Sequence, residues 1–355
     1  MMKTFSQLKK NSLARLGILI LCILYFSCIG ADFIAPYDPY SSQNDGSLLP
    51  PTQIHWRNRE GKLIWPYVYP TTQSPTNLQT GVRALNMDSN SPSKVTFLGK
   101  GSSYNILGLK LDRHLFGVDA PARINLLGTD EQGRDQFSRL LYGGRVSLFV
   151  GLLGILISFP IGLLIGGISG YFGGWIDSFL MRIVEILMTI PSLYLLVALA
   201  AVLPLGLSST SRFLLIVLIT SLISWSGLAR VIRGQVLSLK EQEFVQAAKA
   251  VGAKSLYIIW KHILPQTTSY IVISATLTIP SFIVAESVLS FLGLGIQQPD
   301  PSWGNLLTLA SNASIIVMQP WLIWPPTVLI ILTVLAFNLI GDSLRDALDP
   351  RSLKN

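Results

Sequence analysis

Residue types able to make or break bonds are sparse in this 355-residue chain, and their spacing does not suit that chemistry. Gly99-Lys100-Gly101-Ser102 and Gly252-Ala253-Lys254-Ser255 bring glycine, lysine and serine together. Neither has the G-x-x-x-x-G-K-[ST] spacing that wraps backbone amides around phosphates. His55 and His114 stand apart from other ligand types and read as surface histidines. No Ser/His/Asp set, metal-ligand spacing or carboxylate pair can be assembled, which argues against a membrane-bound enzyme. Cys22 and Cys28 share one apolar run and suit small packing residues better than a disulfide framework.

The stretch with the most distinctive spacing is QAAKAVGAKSLYIIWKHILPQ, from Gln246 to Gln266. Ser238-Leu239-Lys240-Glu241 has the form of a capping box ahead of it. A helix starting there places Phe244, Ala247, Ala248 and Val251 on one face. Gly252 stands where that helix would end, because positive φ is cheap for glycine. A second short helix follows with Leu256, Ile259, Trp260 and Ile263 on one side. Pro265 is expected to end it by pushing Leu264 out of helical geometry. Such a hairpin cannot bury its apolar stripes alone. It packs under a larger bundle or docks in a groove on another protein, and the small Ala247 and Ala248 would let a partner approach closely.

The elements around this hairpin are set by composition. Half the residues are hydrophobic, only 13% are charged, and mean hydropathy is +0.50. A soluble chain would carry about a quarter charged residues, so lipid is the solvent for much of this one. Uncharged runs long enough to span a bilayer lie at Leu16–Ala31, Val146–Ile176, Ile186–Ser211, Phe213–Ala229, Ile263–Ala285 and about Pro320–Gly341. The remainder before Pro320 reads as a polar loop. Lys and Arg concentrate in the N-terminus (Lys3, Lys9, Lys10), in the loop after the fourth run, and in the tail (Arg345, Arg351, Lys354). The positive-inside rule then places both termini and the hairpin in the cytoplasm. The net charge of +8 is of this kind and does not point to nucleic acid. The first run is expected to be retained as a helix rather than cleaved as a signal peptide.

Residues 36–134 differ, being rich in Pro, Ser, Thr and Asn with short β-like pieces at Leu63–Trp65 and Val95–Leu98. The expected division is therefore 1–35 for the N-terminus and first helix, 36–134 for an extracytoplasmic insertion, 135–345 for a five-helix core with the hairpin at 238–265, and 346–355 for a tail. The fold class is an all-α membrane protein with six transmembrane helices. Glycines of the second run, such as Gly162 and Gly166, permit close helix contact, within the chain or with a partner. Tyr171, Trp175, Trp321 and Trp324 read as interface anchors.

Ala247-Ala248-x3-Gly252 followed by Leu264-Pro265 resembles the EAA motif of ABC importer permeases, with Gln246 at the position usually held by Glu. Further strings agree in order: Gly128-Thr129-Asp130-Glu131-Gln132-Gly133-Arg134-Asp135 with Ser138-Arg139, Gly170 to Asp177, Leu289 to Gly295, Pro301-Ser302-Trp303-Gly304, and Asn338 through Asp342 to Arg351. From Leu127 to Arg351 the chain resembles the C-type permease subunit of dipeptide and oligopeptide ABC importers. The long segment between the first two helices is similar to that of the Yej peptide/microcin branch. The resemblance implies a MetI-like permease bundle in a bacterial inner membrane. It implies a second homologous permease forming a heterodimer, two cytoplasmic ATPases that hold ATP and Mg, an extracytoplasmic solute-binding protein, and a peptide cargo. It implies no cofactor or metal on this chain. Gln246, Ala247, Ala248, Gly252, Leu264 and Pro265 would form the coupling helix that docks on the ATPase. Glu286 follows Pro280 at membrane depth, where an ionisable group is a functional suspect. It would either face the pathway and attract a peptide amino group or support structure, the second being favoured. Arg182 and Glu185 read as a local pair. Nickel is the rival cargo, and a secondary transporter the rival class, though the latter leaves the hairpin unexplained.

Overall fold

The structure, a computed structural model, describes residues 11–57, 61–74, 83–106, 108–204 and 206–348. The expectations for Lys3, Lys9, Lys10, Arg351 and Lys354, and for most of the 346–355 tail, lie outside the described residues.

In lipid every backbone polar group must be satisfied internally, and the apolar runs accordingly form helices. These are α1 (Ser12–Ile29), the short α2 (Ala31–Ile34), α3 (Gln136–Phe172), α4 (Gly174–Thr189), α5 (Ser192–Ala201) and α6 (Ser209–Leu239). The hairpin helices α7 (Glu243–Ala250) and α8 (Ser255–Ile258) follow, then α9 (Thr268–Phe291), the short α10 (Trp303–Leu306) and α11 (Ala313–Met318), and α12 (Trp324–Leu348). Among the described residues five helical stretches are long and apolar enough to cross a membrane, or six if α4 and α5, bent by 86°, count as one broken span. The chain is thus mostly helical and multi-pass.

The third span departs from its expected limits of Ile186–Ser211. The chain is helical from Gly174, breaks at Ile190-Pro191, and resumes as α5. Proline disfavours helical geometry at the preceding residue, and Ile190 is extended (φ −81°, ψ 126°). The early start was hidden because Asp177, Arg182 and Glu185 interrupt the uncharged run. The fourth span likewise continues past Ala229 to Leu239, through Arg230 and Arg233.

The chain divides into two compact units. One holds Leu148–Leu289 with the described residues of the terminal segments Met1–Cys22 and Ile331–Asn355. Inside it, glycines let α3 lie against α6. A Cβ on Gly162, Gly166 or Gly170 would come within 3.0, 2.5 and 2.8 Å of the Trp225, Ala229 and Arg233 carbonyl oxygens. The four-residue spacing matches on both helices, so the small-residue stripe serves packing within the chain. Arg233 grips Asp177 through two 2.5 Å hydrogen bonds, and the Ser169 hydroxyl donates to the same carboxylate.

The other unit holds Ile23–Ser147 and Ser290–Ile330. Here the insertion is β-rich. Strands β1 (His55–Arg57), β2 (Leu63–Val68), β3 (Thr71–Gln73), β4 (Leu85–Met87), β5 (Ser93–Phe97), β6 (Lys100–Ile106), β7 (Leu109–Arg113) and β8 (Phe116–Val118) form a four-stranded sheet of order β1-β2-β5-β8 and the hairpins β3-β4 and β6-β7. The two expected β-like pieces are neighbours in the sheet, Tyr67 facing Lys94. One sheet face packs Val68 and Val95 on Ala122 and Ile124. His114, expected at the surface, is 2% exposed, its Nε2 3.0 Å from the Ser102 carbonyl oxygen. His55 stacks on Tyr67 and meets Tyr69 edge-on. The segment expected as a polar loop before Pro320 contains α10 and α11. Trp303 on α10 is fully buried.

Candidate functional site

The hairpin begins later than its capping box suggested. Ser238 and Leu239 still belong to α6, and Gln242 is the extended residue that opens α7. α7 ends in a Schellman arrangement, the Gly252 amide donating to the Lys249 carbonyl (2.9 Å) and the Ala253 amide to the Ala248 carbonyl (3.1 Å). Gly252 takes φ +78°, as its position foretold, and faces open space. The turn, not a close approach, is what requires glycine there.

Pro265 does not end the second helix. Leu264 stays helical (φ −59°, ψ −34°). A π-helical turn over Ile259–Ile263 widens the path, and a 3-10 turn over Leu264–Thr267 takes Pro265 in its first positions, where its missing N–H leaves no acceptor short. The chain therefore runs helically from the hairpin into α9.

The expected apolar stripes divide between a buried and a bare face. Val245 and Ala248 of α7 and Ile258, Ile259, Ile263 and Leu264 beyond it join Phe159, Ile232 and Val236 in one core cluster. Lys249 adds a cation–π contact, its Nζ 5.4 Å from the Tyr171 ring. Phe244 and Val251, on the expected apolar stripe, are exposed, Val251 by 84%. Leu256 and Trp260 are half exposed with Tyr257. The expected docking residues thus divide. Gln246, Ala247, Gly252 and Pro265 are exposed, while Ala248 and Leu264 fasten the hairpin. What remains bare is an apolar ridge of Phe244, Val251, Leu256, Tyr257 and Trp260 around the small Ala247.

Glu286 is fully buried within α9. Arg182 and Glu185 form the expected local pair at 3.2 Å on an exposed surface.

A second polar arrangement lies in the other unit and was not assembled from the sequence. Asp130 accepts from the Gln132 and Arg134 amides (both 2.9 Å) and from Arg134 Nε (2.7 Å). Arg139, entirely buried, lies 3.4 Å from Asp130 and donates to the Pro39 and Pro299 carbonyls and to Gln298 Oε1. Gln298 also accepts from Arg134 and donates to Asn305, which is held by Ser302 Oγ. Trp303 closes the arrangement, donating its indole N–H to the Leu140 carbonyl. The strings around 128–139 and 301–304 are therefore one polar clasp. The only local signal was a buried-type Trp beside Ser-Gly and a run of alternating charges. Asp135 caps α3 through the Ser138 amide (2.7 Å). Its burial pushes its carboxyl up to about 6.

The sequence that builds the hairpin and the long apolar helices on either side of it matches a described family. The chain belongs to the family "binding-protein-dependent transport system inner membrane component", whose model covers residues 162–354. Residues 2–51 match a second model, the N-terminal TM domain of oligopeptide transport permease C. Among similar proteins, the dipeptide transport system permease protein DppC of Bacillus subtilis (strain 168) is 46% identical over 231 residues, 65% of this chain and 70% of that one. The oligopeptide transport system permease protein OppC of Haemophilus influenzae is 45% identical over 227 residues, 64% and 70% of the two chains. A solved chain of the MetNI methionine ABC transporter, in inward-facing form, is 21% identical with a TM-score of 0.39, covering 60% of this chain and 94% of that one.

Proposed function

We propose that this chain forms half of the translocation pathway of an ATP-driven importer for di- or oligopeptides. The other half is a second, homologous permease. A solute-binding protein delivers the peptide from outside, and two ATPases dock on the cytoplasmic side. In this reading the membrane is a bacterial inner membrane, both termini and the hairpin lie in the cytoplasm, and residues 36–134 lie outside. The chain is not an enzyme. ATP and Mg sit on the ATPases, and this chain carries no cofactor of its own. The peptide class is supported by relatives named for dipeptide and oligopeptide transport. Glu286 is read as a structural residue, because its side chain is enclosed by its own chain.

The observation that carries this reading is the two-faced hairpin. Its inner face is buried in the same cluster as α3 and α6, and its outer face leaves Phe244, Ala247, Val251 and Trp260 uncovered. Movement of a protein seated on the ridge would pass through Val245, Ala248 and Ile259 to the membrane helices as a rigid-body tilt. The chemistry of hydrolysis stays with the partner; this chain supplies the mechanical link and the pathway.

The test is Val251→Asp. A charge on an 84%-exposed side chain leaves folding within about 0.5 kcal/mol of wild type. At an apolar docking face it weakens association by about tenfold or more. Co-purified ATPase and the unfolding temperature are measured together. Loss of the ATPase at an unchanged unfolding temperature is expected. Full retention of ATPase by the folded variant would overturn the docking role.

A further inference from the structure

The β-rich insertion carries a cavity of about 590 Å³ that the importer reading does not use. Its wall comes from β2. Side chains two apart share one face of a strand, so Trp65 and Tyr67 of β2 share the face opposite the sheet's core contacts; Ile64, and Tyr69 just beyond the strand, line the cavity with them. These rings are held rather than loose. The Trp65 indole N–H donates to the Val95 carbonyl at 2.6 Å, and its ring meets Phe97 edge-on. The Tyr67 hydroxyl donates to the Arg57 carbonyl at 3.0 Å. His55 stacks on Tyr67 at 5.4 Å, and Tyr67 meets Tyr69 edge-on at 5.4 Å. Even so, Trp65 is 56% exposed, whereas Tyr67 is 8% exposed, so the indole is the main apolar surface presented to solvent.

Opposite the rings stands a polar rim. Lys94 lies directly across from Tyr67 in the sheet register and is the one charged residue lining the cavity among the described residues. Ser89 and Asn90 line it beside Lys94. Both sit in a turn built on Asp88, whose carboxylate accepts from the Asn90 amide (3.0 Å) and the Ser91 hydroxyl (2.7 Å). That acid is engaged within the turn. Lys94, Ser89 and Asn90 offer an ammonium, a hydroxyl and an amide N–H₂, a donor set suited to an oxyanion.

We propose that this cavity binds the carboxyl end of a peptide, with Lys94, Ser89 and Asn90 taking the C-terminal carboxylate and Trp65, Tyr67 and Tyr69 taking an apolar or aromatic terminal side chain. Its volume falls in the range of small-ligand sites, which combine apolar walls with a few converging polar groups. Rings already fixed by hydrogen bonds and stacking lose little freedom on binding. Among the described residues Lys94 is the one charged group lining the cavity, and a cation there selects a carboxylate head over an amino group. The ligand class rests on the peptide-importer reading; the anion-plus-ring chemistry rests on the cavity alone.

The experiment uses the full chain assembled with its partner permease in lipid nanodiscs, without solute-binding protein. Equilibrium dialysis measures binding of radiolabelled Gly-Gly-Phe, its C-terminal amide, and Gly-Gly-Gly. Saturable binding of Gly-Gly-Phe is expected, with each of three changes weakening it about tenfold: amidation, Lys94→Met, or loss of the phenyl ring in Gly-Gly-Gly. Trp65→Ala gives the same loss; because it also removes the Val95 hydrogen bond, Lys94→Met on the rim is the deciding variant. Equal binding of acid and amide, or no saturable binding, overturns the proposal. So does a pair of variants that release the solute-binding protein yet bind Gly-Gly-Phe normally, which would make the face a protein dock. If the complete transporter, with its ATPases and solute-binding protein in ATP-loaded proteoliposomes, takes up no peptide at all, the importer reading fails. If it takes up peptide while acid and amide bind alike, only this site fails.

Discussion

The hairpin and the clasp are both built from sequence strings rich in small and charged residues, and they are finished in opposite ways. In the clasp, Asp130, Arg134, Arg139, Gln298 and Asn305 are linked to one another by ion pairs and hydrogen bonds, and Arg139 has no exposed surface. In the hairpin, Val245, Ala248 and Ile259 are buried while Val251, Leu256 and Trp260 stay open. A charge network that closes on itself holds one arrangement, because every alternative leaves a buried charge unpaired. An apolar ridge left uncovered costs little in place and gains only when something covers it. The first region is closed on itself; the second leaves apolar surface that the proposed ATPase would cover.

The sharpest way to break that contrast is Arg139→Met. Removing the guanidinium strips donors from Pro39, Pro299 and Gln298 and a counter-charge from Asp130. A loss of about 3–5 kcal/mol is expected, seen as loss of folded protein in fluorescence-detected size exclusion. If the variant keeps the wild-type unfolding temperature, the clasp is not a stability element. Next is Gly252→Val. A β-branched residue at φ +78° costs about 1–3 kcal/mol and misaims the ridge, so ATPase co-purification falls more than the unfolding temperature does. Gly252→Asn tolerates positive φ and restores association; failure of that rescue would show that something other than the turn requires glycine.

The smallest effect concerns pH. Burial raises the Asp135 carboxyl to about 6, with Oδ1 unpartnered among the described residues. A raised folded value means the folded state holds the proton more tightly. The stability it contributes is full below the ordinary carboxylate value near 4 and is lost as pH rises through 6. Between about pH 5 and 7 this amounts to about 1 kcal/mol. Asp135→Asn keeps the cap oxygen for Ser138 and removes the titration. Its unfolding temperature in detergent loses that share of the decline with rising pH. Identical slopes for both proteins would contradict the assignment.

Five of the spans and the Gly252 turn were legible because each rests on a local rule: long uncharged runs must be helical in lipid, and a residue after a helix end must tolerate positive φ. The hairpin's faces were not. Apolar residues sit on both sides of α7, and only the fold decides that Val245 goes in and Val251 stays out. Asp177 marked a span boundary in the sequence. In the structure it is neutralised by Arg233, 56 positions on, so α4 starts earlier. The clasp was invisible because its halves lie about 160 residues apart. Pro265 misled because the rule for the residue before proline is statistical, and a π turn absorbs the exception.

That π turn has a mechanical consequence. From Ser255 to Phe291 the backbone is helical without a loop, 37 residues or about 55 Å of axis at 1.5 Å per residue. A push applied at Trp260 in the proposed docking would therefore pass along one continuous helical backbone, and Pro280, where the ladder of hydrogen bonds lacks one rung, is where that backbone would first flex.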